Sequence, residues 1–293
     1  MTAVTAAPAT LRLPVRPPFD GAGVMRWLSM RLVPGVEALA GGVYRRTLDL
    51  PGGPGVVALT PAADHVDAAF VLDEPADLPA AEARCRHLFD LDADPAAPAA
   101  VLSSDPVLAP LVAARPGLRA PGTVDPAETA VRAVLGQQVS LAAARTLAGR
   151  LVAACGPSLA LPADGLSHRF PGPAAIADEA VLATVGMPRS RRRTLLALCT
   201  RLAAGDLVLD PGADPDAVRA RLLDVPGIGP WTADYILLRA LGHRDAFPSG
   251  DLGLRRAARA LGLPDDAAGL EAHAERWRPW RRYAAHHLWA AGA

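Results

Sequence analysis

Leu222-Leu223-Asp224-Val225-Pro226-Gly227-Ile228-Gly229-Pro230-Trp231-Thr232-Ala233-Asp234-Tyr235-Ile236-Leu237-Leu238-Arg239-Ala240-Leu241-Gly242-His243-Arg244-Asp245-Ala246-Phe247-Pro248-Ser249-Gly250-Asp251 reads as a helix end, a tight turn, a second helix and a carboxylate carried on a Pro-Ser-Gly turn. Pro230 suits the first position of the second helix, where its missing N–H costs nothing, and Gly242 suits its end. A glycine-rich turn that opens a helix presents bare backbone N–H groups, and the helix dipole favours negative charge there. A phosphate is the natural ligand, so the first inference is contact with DNA.

The pattern resembles the helix-hairpin-helix, glycine/proline/aspartate superfamily of DNA glycosylases. Within it, Trp231, Tyr235, the Phe247-Pro248…Asp251 turn and the ending Glu275-Arg276-Trp277-Arg278-Pro279-Trp280-Arg281…Tyr283…His287-Leu288-Trp289 are similar to the bacterial 3-methyladenine DNA glycosylase II (AlkA-like) family. The likeness begins near Leu13-Pro14-Val15-Arg16-Pro17-Pro18-Phe19-Asp20 and spans nearly the whole chain. It implies an α+β N-terminal domain, a small antiparallel sheet with helices, followed by an all-α helix-hairpin-helix core of two lobes with a DNA-facing cleft between them. It also implies a glycosylase that flips alkylated bases, 3-methyladenine and 7-methylguanine among them, out of double-stranded DNA and excises them in base excision repair. No segment resembles the cysteine-rich methyl-accepting regulator that precedes some family members.

Composition narrows the alternatives. The 293 residues suffice for two or three compact units. No apolar run is long enough for a membrane span, and the N-terminal ten residues lack the charged start and apolar core of a signal peptide. A monomeric, cytoplasmic, nucleoid-associated protein with no membrane partner is expected. Cys85, Cys155 and Cys199 are too few for an iron–sulfur cluster and too dispersed for a zinc site. Neither cofactor is expected, and the chemistry requires none.

Lysine is absent; all 30 basic residues are arginines. Glycosylases that also cut the backbone attack the sugar with an amine to form a Schiff base. In bifunctional relatives a lysine follows the hairpin, where this chain has Trp231. A monofunctional enzyme using water as nucleophile is therefore expected, without AP-lyase activity. The net charge of zero is unevenly divided: residues 1–180 hold 14 Arg against 18 acids, and residues 181–293 hold 16 Arg against 12 acids. The basic half contains the hairpin, which gives weak, salt-dependent steering of DNA.

Turn and cap signals divide the chain into a leader over residues 1–10, an α+β domain over 11–98, and helices thereafter. A helix from Phe19-Asp20 through Leu32 is expected, then strands at 43–48, 56–59 and 65–72 and a helix over 80–91. The Asp-Ala-Asp-Pro-Ala-Ala-Pro stretch at 92–98 marks the boundary. Beyond it only helices are expected, capped by Asp125, Ser140, Ser190 and Asp214. The family resemblance assigns residues 126–243 to the lobe holding the hairpin and joins residues 99–125 to 244–293 as a discontinuous lobe.

Breaking an N-glycosidic bond leaves the sugar carbon electron-poor, so a nearby carboxylate stabilises the transition state and can orient water. Asp251 matches the family's catalytic aspartate, although Asp is also a favoured helix cap and the two roles are compatible. Asp234 and Asp245 are the nearest competing acids. Trp231, Tyr235 and Trp289 match aromatic pocket positions, with Trp27 a further wall from the first domain. Trp277 and Trp280 read as core. Phosphate binding falls to Gly227, Gly229 and the helix start from Trp231 through Thr232 to Ala233, with Arg191 adding a backbone contact unless its charge run is merely solvated. The family implies a monovalent cation, Na or K, on the carbonyls of Leu223, Val225 and Gly227. Gln138 lies where a side chain fills the gap left by the flipped nucleotide, in place of the apolar plug of some members. Two other readings stay open: a non-catalytic DNA-binding protein, and a glycosylase for oxidised or mismatched bases.

Overall fold

Along His65–Leu72 (β5), Val66, Ala68, Phe70 and Leu72 are buried while the alternate residues are not, the period of two that a strand with one covered face requires. The computed structural model describes residues 9–292. Ahead of β5 come β1 (Ala9–Pro14), α1 (Gly21–Ser29), β2 (Glu37–Ala40), β3 (Val43–Leu50) and β4 (Gly53–Pro61). They form one antiparallel sheet in the order β1-β5-β4-β3-β2. The three expected strands form its centre; β1 and β2, its two edges, were not expected. Residues 1–8 of the expected leader lie outside the described residues. Ala9 and Thr10, assigned to that leader, instead pair with Phe70 and Ala69.

Asp20 caps α1 by accepting from the Gly23 N–H at 2.7 Å. The sheet core is completed by α2 (Leu78–Phe89), which contributes Cys85, Leu88 and Phe89. The helical part continues with α3 (Ala96–Leu102), α4 (Ala109–Ala114), α5 (Pro126–Leu135) and α6 (Leu141–Cys155). Asp125 and Ser140 cap α5 and α6 with their side chains, each a device worth about 1 kcal/mol.

A helical run throughout this part was expected, yet β6 (Ser158–Ala163) and β7 (Leu166–His168) form a hairpin. It leans on the first domain: Gly35 bridges Leu166, and Thr47 Oγ1 donates to the His168 carbonyl at 3.1 Å. Stabilisation from a distant segment leaves no local periodicity to read. Then follow α7 (Pro173–Ile176), α8 (Glu179–Thr184), α9 (Arg189–Ala203), α10 (Pro215–Leu223), α11 (Pro230–Ile236), α12 (Leu252–Ala260), α13 (Ala267–Ala274) and α14 (Arg281–Ala291). Ser190, expected to cap α9, sits inside its first turn, because the helix already starts at Arg189 after Pro188. A π-type turn, Leu237–Leu241, extends α11 and ends at Gly242 in the left-handed region, φ +68°.

A second hydrophobic core runs through the helices from Leu102 to Leu288 and takes in Val33 and Val36 from the first domain. Within it α4 packs on α14, and the wholly buried Trp277 donates its indole N–H to Asp105 at 2.8 Å. Buried charges join sheet to helices. Arg46 meets Glu37 at 3.3 Å and Glu128 of α5 at 2.7 Å, while Arg132 meets the same two acids at 3.2 and 2.7 Å. Removing one member of such a set costs about 3–5 kcal/mol, because the others are left buried and unpaired. Among the described residues no helix is long and apolar enough to cross a membrane.

Candidate active site

The turn between α10 and α11 is built on Gly227. Its φ is +88°, and an added Cβ would lie 2.0 Å from Thr194 Oγ1 on α9, so a side chain is excluded twice over. Gly229 is extended, and a Cβ there would meet nothing within 4 Å, which leaves its surroundings open for a ligand. Ala233, expected among the phosphate-binding amides, is already committed: its N–H donates to the Gly229 carbonyl at 3.1 Å. The amides of Trp231 and Thr232 precede the first intrahelical bond and stay available at the helix start.

Gln137, which the sequence did not single out, fastens the α5–α6 loop to this turn. Its Nε2 donates to the Gly227 carbonyl at 3.0 Å and to Thr232 Oγ1 at 2.9 Å. Arg191 in turn donates to the Gln137 carbonyl, so it props the loop instead of standing free in solvent. Next to Gln137, Gln138 is exposed and held in the left-handed region at φ +54°, at the lip of the cleft. Apolar side chains share the lips: Val139 and Leu141 on one side and Leu252, 64% exposed, on the other. They carry no periodic signal and were not anticipated.

Asp251 ends the Pro-Ser-Gly turn, its N–H donating to the Pro248 carbonyl at 2.8 Å, and caps α12 by accepting from Leu254 N–H at 2.9 Å. Two indoles also point at its carboxylate. Trp231 Nε1 donates to Oδ2 at 3.0 Å and Trp289 Nε1 to Oδ1 at 2.9 Å. Gly253 makes the approach feasible, since a Cβ there would sit 2.9 Å from Oδ1 and 3.3 Å from the Trp289 ring. The competing acids are engaged elsewhere: Asp234 pairs with Arg219 at 2.6 Å, and Asp245 with Arg281 at 2.9 Å. Neither lines the cleft.

Trp231 and Tyr235, one turn apart on α11, stack with centroids 5.7 Å apart, and Tyr235 meets Trp289 edge-on at 6.3 Å. Trp27 of α1 lies 5.2 Å from Trp289 and is buried. The four aromatic residues expected in the pocket thus come together with Asp251, around a cleft of about 1440 Å³ between the first domain and the helical lobes. Trp27 is only a partial wall, because the Arg31 guanidinium covers one of its faces at 3.3 Å. Trp280 is turned away onto Tyr283 and is half-buried against the outside of the core, whereas Trp277 is a core residue as expected.

Positive charge at the inner end of the cleft was not anticipated. Arg239 reaches Tyr235 Oη at 3.4 Å and the Gly122 carbonyl at 2.7 Å. Burial would raise the Tyr235 phenol, but Arg239, then Arg31 and Arg132, outweigh it and hold the phenol below its ordinary value. Burial drives Arg31 down to about 10. These arginines come from segments about 200 residues apart, so no linear pattern marks them.

Residues 10–125 match the AlkA N-terminal domain, and residues 131–282 match the HhH-GPD superfamily base excision DNA repair protein family. The DNA-3-methyladenine glycosylase 2 of Escherichia coli (strain K12) is 35% identical over 276 residues, 94% of each chain. The probable bifunctional transcriptional activator/DNA repair enzyme AlkA of Mycobacterium tuberculosis is 52% identical over 285 residues; the match covers 97% of this chain and 57% of that protein's length. Among solved structures, the 3-methyladenine DNA glycosylase of Archaeoglobus fulgidus superposes with a TM-score of 0.84 at 23% identity, covering 96% of this chain and 98% of the other.

Proposed function

Since this chain belongs to the AlkA-type branch of the HhH-GPD base-excision repair superfamily, we propose that it is a monofunctional DNA glycosylase that extrudes alkylated bases from double-stranded DNA and hydrolyses their N-glycosidic bonds. The observation that carries the reading is the Asp251 carboxylate, held by the indole N–H groups of Trp231 and Trp289 inside an aromatic cleft. A protein that only grips the backbone needs neither the acid nor the rings.

Each part has a physical task. The amides of Gly227, Gly229, Trp231 and Thr232 receive a backbone phosphate at the positive end of α11. Gln138, flanked by Val139 and Leu141, fills the space vacated by the extruded nucleotide. Trp231, Tyr235 and Trp289 repay the lost stacking, with Trp27 closing the inner end. An N3- or N7-alkylated purine is a good leaving group, so no strong acid is needed. Asp251 faces the developing positive charge on the sugar and orients the attacking water. With no lysine in the chain, the Schiff-base route to strand cleavage has no side-chain amine.

The carbonyls of Leu223, Val225 and Gly227, at the C-terminal end of α10 and in the turn, are neutral oxygen donors suited to a monovalent cation that would bridge to phosphate. The Gly227 oxygen already accepts from Gln137 and would share its second lone pair.

The test is release of 3-methyladenine and 7-methylguanine from methylated DNA by the purified chain and by Asp251→Asn. Loss of about a hundred- to a thousandfold in the variant is expected from removing charge stabilisation of the transition state; equal rates would remove Asp251 from the chemistry. Borohydride treatment should trap no covalent protein–DNA adduct, and an adduct would overturn the monofunctional reading.

A further inference from the structure

Gln138, which fills the vacated space in the reading above, is exposed, as are Val139 and Ser140 after it, so little packing holds them in place. Among the described residues, every hydrogen bond that ties residues 136–140 to anything beyond the helices on either side passes through Gln137. Its side chain gives two, to the Gly227 carbonyl at 3.0 Å and to Thr232 Oγ1 at 2.9 Å, and its own carbonyl accepts the third from Arg191. Both hydrogens of the side-chain amide are thereby used.

The two acceptors stand at either end of the stretch that grips the backbone. Gly227 opens it and Thr232 closes it, with the amides of Gly229 and Trp231 between them. Both ends are firmly set: Gly227 has no room for a side chain against Thr194, and Thr232 is 2% exposed. A carbonyl only accepts, so the glutamine must present its nitrogen to Gly227, and the second N–H of the same planar group goes to Thr232. One amide therefore fixes the distance between the strand grip and Gln138. Extrusion depends on that distance, because the held phosphate and the inserted side chain must act on the same nucleotide step. A misplacement of about 1 Å in such an arrangement can cost about a hundredfold in rate.

We propose that Gln137 is a positioning residue that couples the grip on the DNA backbone to extrusion of the damaged base, holding Gln138 in register with the phosphate bound at the turn. The assignment rests on the glycosylase reading above and on Gln138 as the side chain that fills the gap. It touches neither the base nor the sugar, and acts before the bond is broken.

The experiment uses a duplex carrying one 7-methylguanine, with either cytosine or an abasic analogue opposite it. Removing the pairing partner lowers the cost of extrusion and leaves the chemistry at the sugar unchanged. Single-turnover release from the paired lesion should fall about ten- to thirtyfold in Gln137→Ala, the scale of two neutral hydrogen bonds, and release from the unpaired lesion less than about threefold. Gln137→Glu keeps the reach but turns two donors into acceptors that face oxygens, and should lose at least as much on the paired lesion. Affinity for undamaged duplex, read by fluorescence anisotropy, should stay within about twofold of wild type in both variants, since the phosphate contacts that set it remain. Because Gln137 acts through Gln138, the paired-lesion losses of Gln137→Ala and Gln138→Ala should not add in the double variant. Unchanged release by Gln137→Ala, equal losses on the two duplexes, weaker binding in step with slower release, or additive losses in the double variant would each overturn the coupling and leave the glycosylase reading standing. Release from neither duplex by wild type overturns that reading, and this assignment with it.

Discussion

The indole N–H of Trp289 donates to Asp251 at 2.9 Å, joining the last helix to a turn 38 residues earlier. The bond gives one ring two duties, as a wall of the cleft and as an anchor that aims the carboxylate. Those duties are separable by substitution.

Trp289→Phe keeps an aromatic face and withdraws the N–H. A hydrogen bond to a charged group contributes about 1.5–3 kcal/mol, so the single-turnover excision rate should fall about tenfold or more while affinity for DNA changes less than about twofold. Single-turnover kinetics alongside fluorescence anisotropy separate the two. Equal losses in both would mean that the ring, not its N–H, is what matters.

Gly227 and Gly229 should respond to alanine in opposite ways. At Gly227 the left-handed backbone and the contact with Thr194 Oγ1 act together, so Gly227→Ala should lower stability by about 2 kcal/mol, measured by urea unfolding. Gly229 has an ordinary extended backbone and open space around it. Its alanine variant should unfold like wild type, within about 0.5 kcal/mol, yet bind DNA several-fold more weakly because the methyl stands where a phosphate would approach.

The three tyrosines should titrate in two groups. Tyr235 is held low by Arg239, Arg31 and Arg132 against the opposing effect of burial, whereas burial raises Tyr44 and Tyr283, helped by Glu37 and Asp90 respectively. Absorbance at 295 nm should show one phenol ionising below pH 10, absent in Tyr235→Phe, and two that ionise only as the protein unfolds. An early phase that survives Tyr235→Phe would contradict the arginine-lined inner end.

Acid should destabilise the fold before the carboxylates titrate. Burial, with Arg115 adding to it, lowers the His287 imidazole to about 4. The unfolded chain then binds the extra proton first, so the contribution of neutral His287 is intact above about pH 6.5 and is lost as pH falls from there towards 4. The loss approaches about 3 kcal/mol at pH 4. Urea midpoints should show a shallower decline for His287→Gln than for wild type across that window, and identical slopes would refute the coupling.

Much of the fold was legible because its signals are local. Asp125-Pro126 and Asp214-Pro215 announce helix starts through contacts within three residues, and both Asp side chains make the caps as expected. The β4 and β5 alternation survives because each strand has one covered face. The edge β1 escaped because its partner β5 lies far along the chain, β2 because it is only four residues long, and the β6–β7 hairpin because it leans on Gly35 and Thr47 of the first domain. Ser190 failed as a cap because α9 begins two residues earlier, directly after Pro188.

For the site, the sequence was sufficient to mark the turn at Gly227, the acid at Asp251, the rings around it and the absence of any lysine, because spacing along one chain and residue identity carry those facts. Packing alone put Arg31 across the face of Trp27, tied Gln137 to Gly227 and committed the Ala233 amide. The physical reason is that a backbone's local conformation depends on neighbours a few residues away. The charge, covered faces and unmet hydrogen bonds of a pocket depend on which distant elements meet there, and no linear pattern records that meeting.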